Sequence, residues 1–209
     1  MKNNKGLLVV CSGPSGVGKG TVIKKLLEKD SKIKLSISAT TRAKRGTEEN
    51  GREYYFLSKE EFFERVNSDG MLEYAQYCDN YYGTPKKEVE NWLNEGKNVL
   101  LEIEVDGALQ VIKKNEDALS VFIMPPSLDE LRNRLVNRGT DAKEVIEKRL
   151  EKARLEIKTA LEYDYIVINE NIDECAENIK NIIYSDGFKT ERMSNFVKGV
   201  LKDEKDNNK

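Results

Sequence analysis

Short uninterrupted apolar runs alternate with helical patterns along most of the chain. Leu7 to Cys11 is the first run, and Val22, Ile23, Leu26 and Leu27 follow at helical spacing over about Lys19–Lys29. Asn98–Ile103 precedes a helix around Ala108–Lys114. Ser120–Met124 precedes Leu128–Asn137, and Tyr165–Ile168 precedes the amphipathic stretch Ile172–Tyr184. Strands apolar on both faces, each followed by a helix, predict an α/β fold whose parallel sheet is covered on both sides. Ligands of such sheets gather outside the carboxyl ends of the strands.

Two stretches break this rhythm and set the expected organisation. The core is expected over residues 5–33 and 97–184, with a β-rich insertion at 34–96 and a helical lid at about 138–160. The insertion opens on Ser36-Ile37-Ser38 and a polar run from Thr40 to Gly46. Tyr54-Tyr55-Phe56 and Tyr74-Ala75-Gln76-Tyr77 follow, with turn signals at Glu49-Asn50-Gly51 and Cys78-Asp79-Asn80. Its residues 34–85 hold one helix, Lys59–Asn67, capped by Ser58, and Trp92 lies on a helix before Val99. The lid is polar, rich in arginine and not needed by the sheet. Residues 185–209 are polar and are expected to form a frayed helix and a disordered tail.

Composition narrows the chemistry. Among 209 residues, 35 Lys and Arg balance 37 Asp and Glu, so bulk charge points to neither nucleic acid nor membrane. No window is apolar for long enough to span a bilayer, and the short segment before Leu7 has no room for a signal peptide. Cys11, Cys78 and Cys175 are odd in number, lack metal spacing and read as reduced packing thiols of a cytoplasmic protein. Histidine is absent, which excludes histidine general bases, Ser-His-Asp triads and histidine metal sites.

The most specific motif is Gly13-Pro14-Ser15-Gly16-Val17-Gly18-Lys19-Gly20-Thr21, set between the first strand and its helix. Successive backbone N–H groups there form a concave anion site, and the helix dipole adds positive charge at its mouth. Lys19 is placed to reach the β- and γ-phosphates of a nucleoside triphosphate. Gly20 stands where such loops usually carry the Ser or Thr that meets magnesium, and Thr21 comes one position later. Mg2+ is therefore expected to be held mainly through phosphates and water, with no protein metal ligand assigned.

A second constellation lies in the insertion. Arg42 and Arg45, three apart on a loop, suit a bidentate phosphate clamp. Glu73 suits the N1–H and exocyclic amine of guanine, whereas the unprotonated N1 of adenine would repel it. Ser38 and Thr84 suit donation to the purine O6.

Together these segments resemble guanylate kinases, which transfer the γ-phosphoryl of ATP to GMP. The likeness rests on residues 13–21, Ser38–Gly46, Asn50–Phe56, Glu73–Tyr77, Asn80–Thr84, Leu101–Gly107, Asn137–Thr140 and Glu147–Leu150, which span roughly Gly6 to Tyr184. It implies a P-loop kinase core with a GMP-binding insertion and a lid. It also implies that Arg42, Arg45, Tyr54 and Tyr82 hold the GMP phosphate. Ser38, Glu73 and Thr84 would read guanine, with Glu102 and Glu104 nearby. The loop and Lys19, with Arg134, Arg138 and Arg149, would hold the ATP phosphates, and Asn169 would stand near the adenine. Lys19, Arg42, Arg138 and Arg149 would carry the catalytic charge.

Asp106 departs from the glutamine usual in that segment, and its consequence is left open. Oligomeric state is also open, between monomer and homodimer. Arg132 reads as a surface residue, Tyr81 as a packing residue and Trp92 as core. Two rivals are weighed. Catalytically dead scaffold modules of this fold bind phosphopeptides but generally lack an intact phosphate loop and lid and come fused to other interaction domains, whereas Lys19, Arg138 and Arg149 are present here. Kinases for AMP or UMP do not fit the Ser38, Glu73 and Thr84 set.

Overall fold

A computed structural model of the chain describes residues 5–137 and 142–206. Its core is a five-stranded sheet built from β1 (Leu8–Ser12), β2 (Ile33–Leu35), β7 (Asn98–Glu102), β8 (Leu119–Met124) and β9 (Tyr165–Ile168). The order across the sheet is β2-β7-β1-β8-β9, and every neighbouring pair is parallel. Four of these strands are the apolar runs read from the sequence. The fifth, β2, escaped that reading because it is three residues long with only Ile33 buried.

The two faces of the sheet bury separate cores, as double coverage requires. On one face α1 (Lys19–Lys29) and α7 (Ile172–Asp186) enclose Val9, Cys11, Ile23, Leu26, Ile179 and Ile183. On the other, α3 (Lys86–Asn94) and α4 (Val105–Lys114) cover Val10, Val99, Leu101 and Phe122. Val89 and Leu93 of α3 are buried in that second core, and Trp92 is half-buried against it. Helices α5 (Leu128–Asn137) and α6 (Lys143–Lys158) pack on each other through Leu131, Leu135, Ile146, Leu150 and Ala153.

The insertion folds around a smaller sheet of order β4-β3-β6-β5, from β3 (Ala39–Thr40), β4 (Tyr55–Phe56), β5 (Met71–Tyr77) and β6 (Asn80–Pro85). Its helix α2 (Lys59–Asn67) starts where expected, with Ser58 and Glu61 exchanging the two bonds of a capping box. Phe62 of α2 is fully buried against Ala39 and Met71. Such burial contributes about 1.5–3 kcal/mol, a large share for so small a core.

The polar tail, where a frayed helix is expected, forms the helix α8 (Thr190–Asp206), and one expectation about the cysteines is corrected. Phe196, Val197, Val200 and Leu201 recur at helical spacing there, a stripe that average polarity conceals. Cys11 and Cys175 are buried, but Cys78 is exposed at the β5–β6 turn with φ 51° and is no packing thiol.

Candidate functional site

The loop from Gly13 to Gly18 leaves the carboxyl end of β1, the central strand of the five, flanked by β7 and β8. Gly16 has φ 90°, and a Cβ on it would stand 2.6 Å from the Leu135 side chain. Gly18, at the N-terminus of α1, has φ 97° and would meet Asn169 Nδ2 at 2.9 Å. Both positions need a residue without a side chain, for backbone conformation and for space. Pro14 and Val17 are buried, Ser15 is half-buried, and Gly20 and Thr21 lie exposed on the first turn of α1. Lys19 donates to the Gly13 carbonyl at 2.7 Å and stands 4.0 Å from Glu104, so its ammonium is held across the mouth of the loop.

A web of donors to main-chain carbonyls fixes the far side of the loop. The Val17 carbonyl accepts from Asn169 Nδ2 at 2.7 Å and from Arg134 Nη1 at 3.2 Å, while Arg134 Nη2 donates to the Asn169 carbonyl. Glu130 orients the same guanidinium from one turn back. Asn169 is buried, and its Oδ1 has no hydrogen-bond partner among the described residues. A cleft of about 420 Å³ opens here, lined by Gly16, Gly18, Thr21, Arg134, Asn137 and Asn169 among others. From α6, Arg149 donates to Ser15 Oγ at 2.8 Å, and Glu156 accepts weakly from the Ser15 N–H at 3.4 Å. Arg132 makes a surface ion pair with Glu147 between α5 and α6, as a surface residue can. Arg138 lies outside the described residues.

The insertion brings together a different set. The Arg42 guanidinium donates to Glu48 Oε1 at 2.9 Å and to the Ala43 carbonyl at 2.7 Å. It lies over the rings of Tyr54 at 5.4 Å and Phe56 at 5.8 Å. The bond to Glu48 holds Arg42 above, and Glu48 below, its ordinary pKa, so both stay charged at neutral pH. Tyr82 meets Tyr54 edge-on at 6.0 Å, and burial pushes the Tyr54 phenol up. Arg45 is exposed, with its backbone N–H bound to Glu48. Tyr81 packs against Phe62 and Phe63.

Glu73 is the buried charge of the insertion. Thr84 Oγ1 donates to its Oε1 at 2.7 Å, and burial raises its pKa against the lowering effect of that bond. Ser38 is half-buried one residue before β3, and its carbonyl accepts from Tyr55 N. Glu102, at the end of β7, stands between the two sets. Its carboxylate reaches to 3.4 Å from where a Gly20 Cβ would be, and it interacts electrostatically with both Lys19 and Tyr54. Burial raises Glu102 while Lys19 opposes the shift. Beside it a hollow of about 390 Å³ is lined by Gly20, Ile23, Leu35 and Glu102 among others. Glu104 caps α4 by position and is exposed.

A parallel sheet with a glycine loop between its first strand and helix, a lysine across the loop and an arginine-bearing helical pair above it define a P-loop kinase. A family model described as guanylate kinase matches residues 5–186. The chain belongs to the guanylate kinase family. It is 52% identical over 189 residues to a guanylate kinase of Lactococcus lactis, covering 90% of this chain and 92% of that one. It is 47% identical over 203 residues to one of Oceanobacillus iheyensis, covering 97% and 98%. The crystal structure of guanylate kinase from Anaplasma phagocytophilum superposes with a TM-score of 0.72 at 38% identity, covering 92% of each chain.

Two residues of this region were not singled out by sequence reasoning. Glu48 partners Arg42 from six residues away, a link that no local pattern signals. Glu156 was legible in principle, because it occupies the buried stripe of Ile146, Leu150 and Ala153 where a solvated helix has no reason to put a carboxylate.

Proposed function

We propose that the chain transfers the γ-phosphoryl group of ATP to GMP, and to dGMP, giving ADP and GDP in purine nucleotide metabolism and GMP recycling. The observation that carries this reading is the buried Glu73–Thr84 pair, set in the same small sheet as the Arg42–Tyr54–Tyr82 cluster. A carboxylate there accepts from the N1–H and 2-amino group of guanine and repels the bare N1 of adenine. Thr84 donates its hydroxyl hydrogen bond to Glu73 and so orients it, which leaves Ser38 to donate to O6. Arg42, Arg45, Tyr54 and Tyr82 would hold the phosphate of GMP.

The donor half fits a nucleoside triphosphate on its own features. Gly16 and Gly18 leave the space that a Cβ would fill, and the orphaned Asn169 Oδ1 sits at the cleft we assign to adenine. Arg134 and Arg149, with Arg138, would meet the phosphates. Mg2+ bound with ATP would neutralise phosphate charge and is assigned to phosphate oxygens and water, since Gly20 offers no hydroxyl. A GMP phosphate oxygen attacks the γ-phosphorus as the bond to the ADP oxygen breaks. That oxygen is already anionic, so no strong base is required. The work of Lys19 and the arginines is to bring two polyanions together and stabilise charge spreading over the transferred group. Among the described residues no helix is long and apolar enough to cross a membrane, and we place the reaction in the cytoplasm.

Phosphoryl transfer from ATP, measured in parallel with GMP, dGMP, AMP and UMP, tests the assignment. Turnover confined to the guanine nucleotides is expected. Turnover of AMP or UMP at comparable rates would overturn it, as would phosphopeptide binding with no turnover of GMP.

A further inference from the structure

The first turn of α4 contains Gly107, although glycine inside a helix costs about 1 kcal/mol relative to alanine. Its neighbour gives the reason. A Cβ on Gly107 would stand 2.6 Å from Glu73 Oε2 and 3.2 Å from Glu73 Cδ. The carboxylate has little freedom to move aside, because Glu73 is only 5% exposed and its other oxygen is bound to Thr84. The same turn carries the positive end of the helix dipole, which favours a carboxylate laid against it.

Three residues on, and so on the same face, Gln110 reaches the next residue of β5. Its Nε2 donates to the Tyr74 carbonyl at 3.1 Å, and its Oε1 accepts from the Tyr74 N–H at 3.4 Å. β5 is the last strand of its sheet among the described residues, which give Tyr74 no strand neighbour on that side. One side-chain amide supplies both bonds that the missing strand would have made. We infer that Gly107 and Gln110 are positioning residues for base selection. Gly107 leaves the volume that the Glu73 carboxylate occupies, and Gln110 holds the strand that carries it. Selectivity then depends on a helix of the core as well as on the insertion. This rests on the assignment of Glu73 to guanine.

The test compares GMP with IMP, which lacks the 2-amino group, in the full chain with ATP as donor. Gly107→Ala should raise KM for GMP by about tenfold or more, leave KM for ATP unchanged and narrow the preference for GMP over IMP. Gln110→Met, similar in length but without the two bonds, should do the same by about threefold and serves if Gly107→Ala fails to fold. A folded Gln110→Met with the parent KM for GMP and the parent preference would overturn the inference. So would a Gly107→Ala that loses affinity for ATP and GMP equally. Glu73→Gln, run alongside, separates the two levels. If it too leaves the preference untouched, the base assignment falls and this inference with it; if it alone changes the preference, only the positioning role falls.

Discussion

The two halves of the site are held together by different kinds of bond. Around the phosphate loop, side chains donate to main-chain carbonyls: Lys19 to Gly13, Asn169 and Arg134 to Val17, Arg134 again to Asn169. In the insertion, side chains bind mainly side chains: Arg42 to Glu48, Thr84 to Glu73, Tyr54 against Tyr82. The bonds from Arg42 to the Ala43 carbonyl, and from Arg149 to Ser15 Oγ at the loop, run against this rule. The first kind anchors cations to a backbone whose conformation is set by glycines. The second anchors side chains to one another, on a sheet whose buried apolar core is Ala39, Phe62 and Met71. A loop of backbone donors binds any phosphate chain and is suited to the common donor. Paired side chains discriminate, and they suit the acceptor that must be told apart from its analogues.

This contrast is broken most severely at Lys19. Lys19→Ala should lower kcat by about 10²–10³, the scale of losing one preorganised transition-state donor, while KM for GMP stays near that of the parent. A single-turnover rate near that of the parent would remove Lys19 from the chemistry. Arg42→Met should act on the other half: KM for GMP should rise about tenfold or more as a charge-assisted contact is lost and Glu48 is left facing the incoming phosphate. KM for ATP in steady-state kinetics should not follow.

A pH titration sharpens the comparison further. Burial raises Glu73 above the ordinary glutamate value of 4.5. Folding therefore favours its neutral form, and the stability it contributes is present at low pH and lost as pH rises through the raised value. The base recognition we propose runs the opposite way, since only the carboxylate accepts both guanine donors. KM for GMP should climb as pH falls through that raised value, beginning above pH 4.5, and Glu73→Gln should lose this acid limb. The smallest effect belongs to the cysteines. Burial pushes Cys11 up to about 12 and Cys175 to about 11, so native alkylation should label Cys78 alone, with turnover unchanged, as mass spectrometry of the labelled peptides would show.

What was legible in the sequence follows the same division. Contiguous signals were read well: the apolar runs became strands, Ser58 became a cap, and residues 13–21 became a loop that runs into the first turn of α1. Local features that are very short were not. β2 has three residues and β3 two, too few for any periodicity to register, whereas β4, equally short, was marked by its aromatic residues. Pairings across long separations were also out of reach. Nothing in the local pattern around Gln110 indicates that it completes Tyr74, 36 residues away, nor in that around Glu156 that it reaches Ser15. Arg42 and Glu73 were singled out by their residue types and by the family likeness, whereas Glu48 and Gln110, which bond to Arg42 and to the Tyr74 backbone, were not.

The central claim is that two anion sites of unlike construction serve one transfer between them. It is tested most directly by calorimetric titration with a dinucleotide in which adenosine and guanosine are joined through a chain of phosphates. The account predicts one such molecule per chain, bound more tightly than ATP or GMP alone, with Lys19→Ala and Glu73→Gln each weakening it. Binding no tighter than that of either mononucleotide, or insensitive to one of those two substitutions, would contradict it.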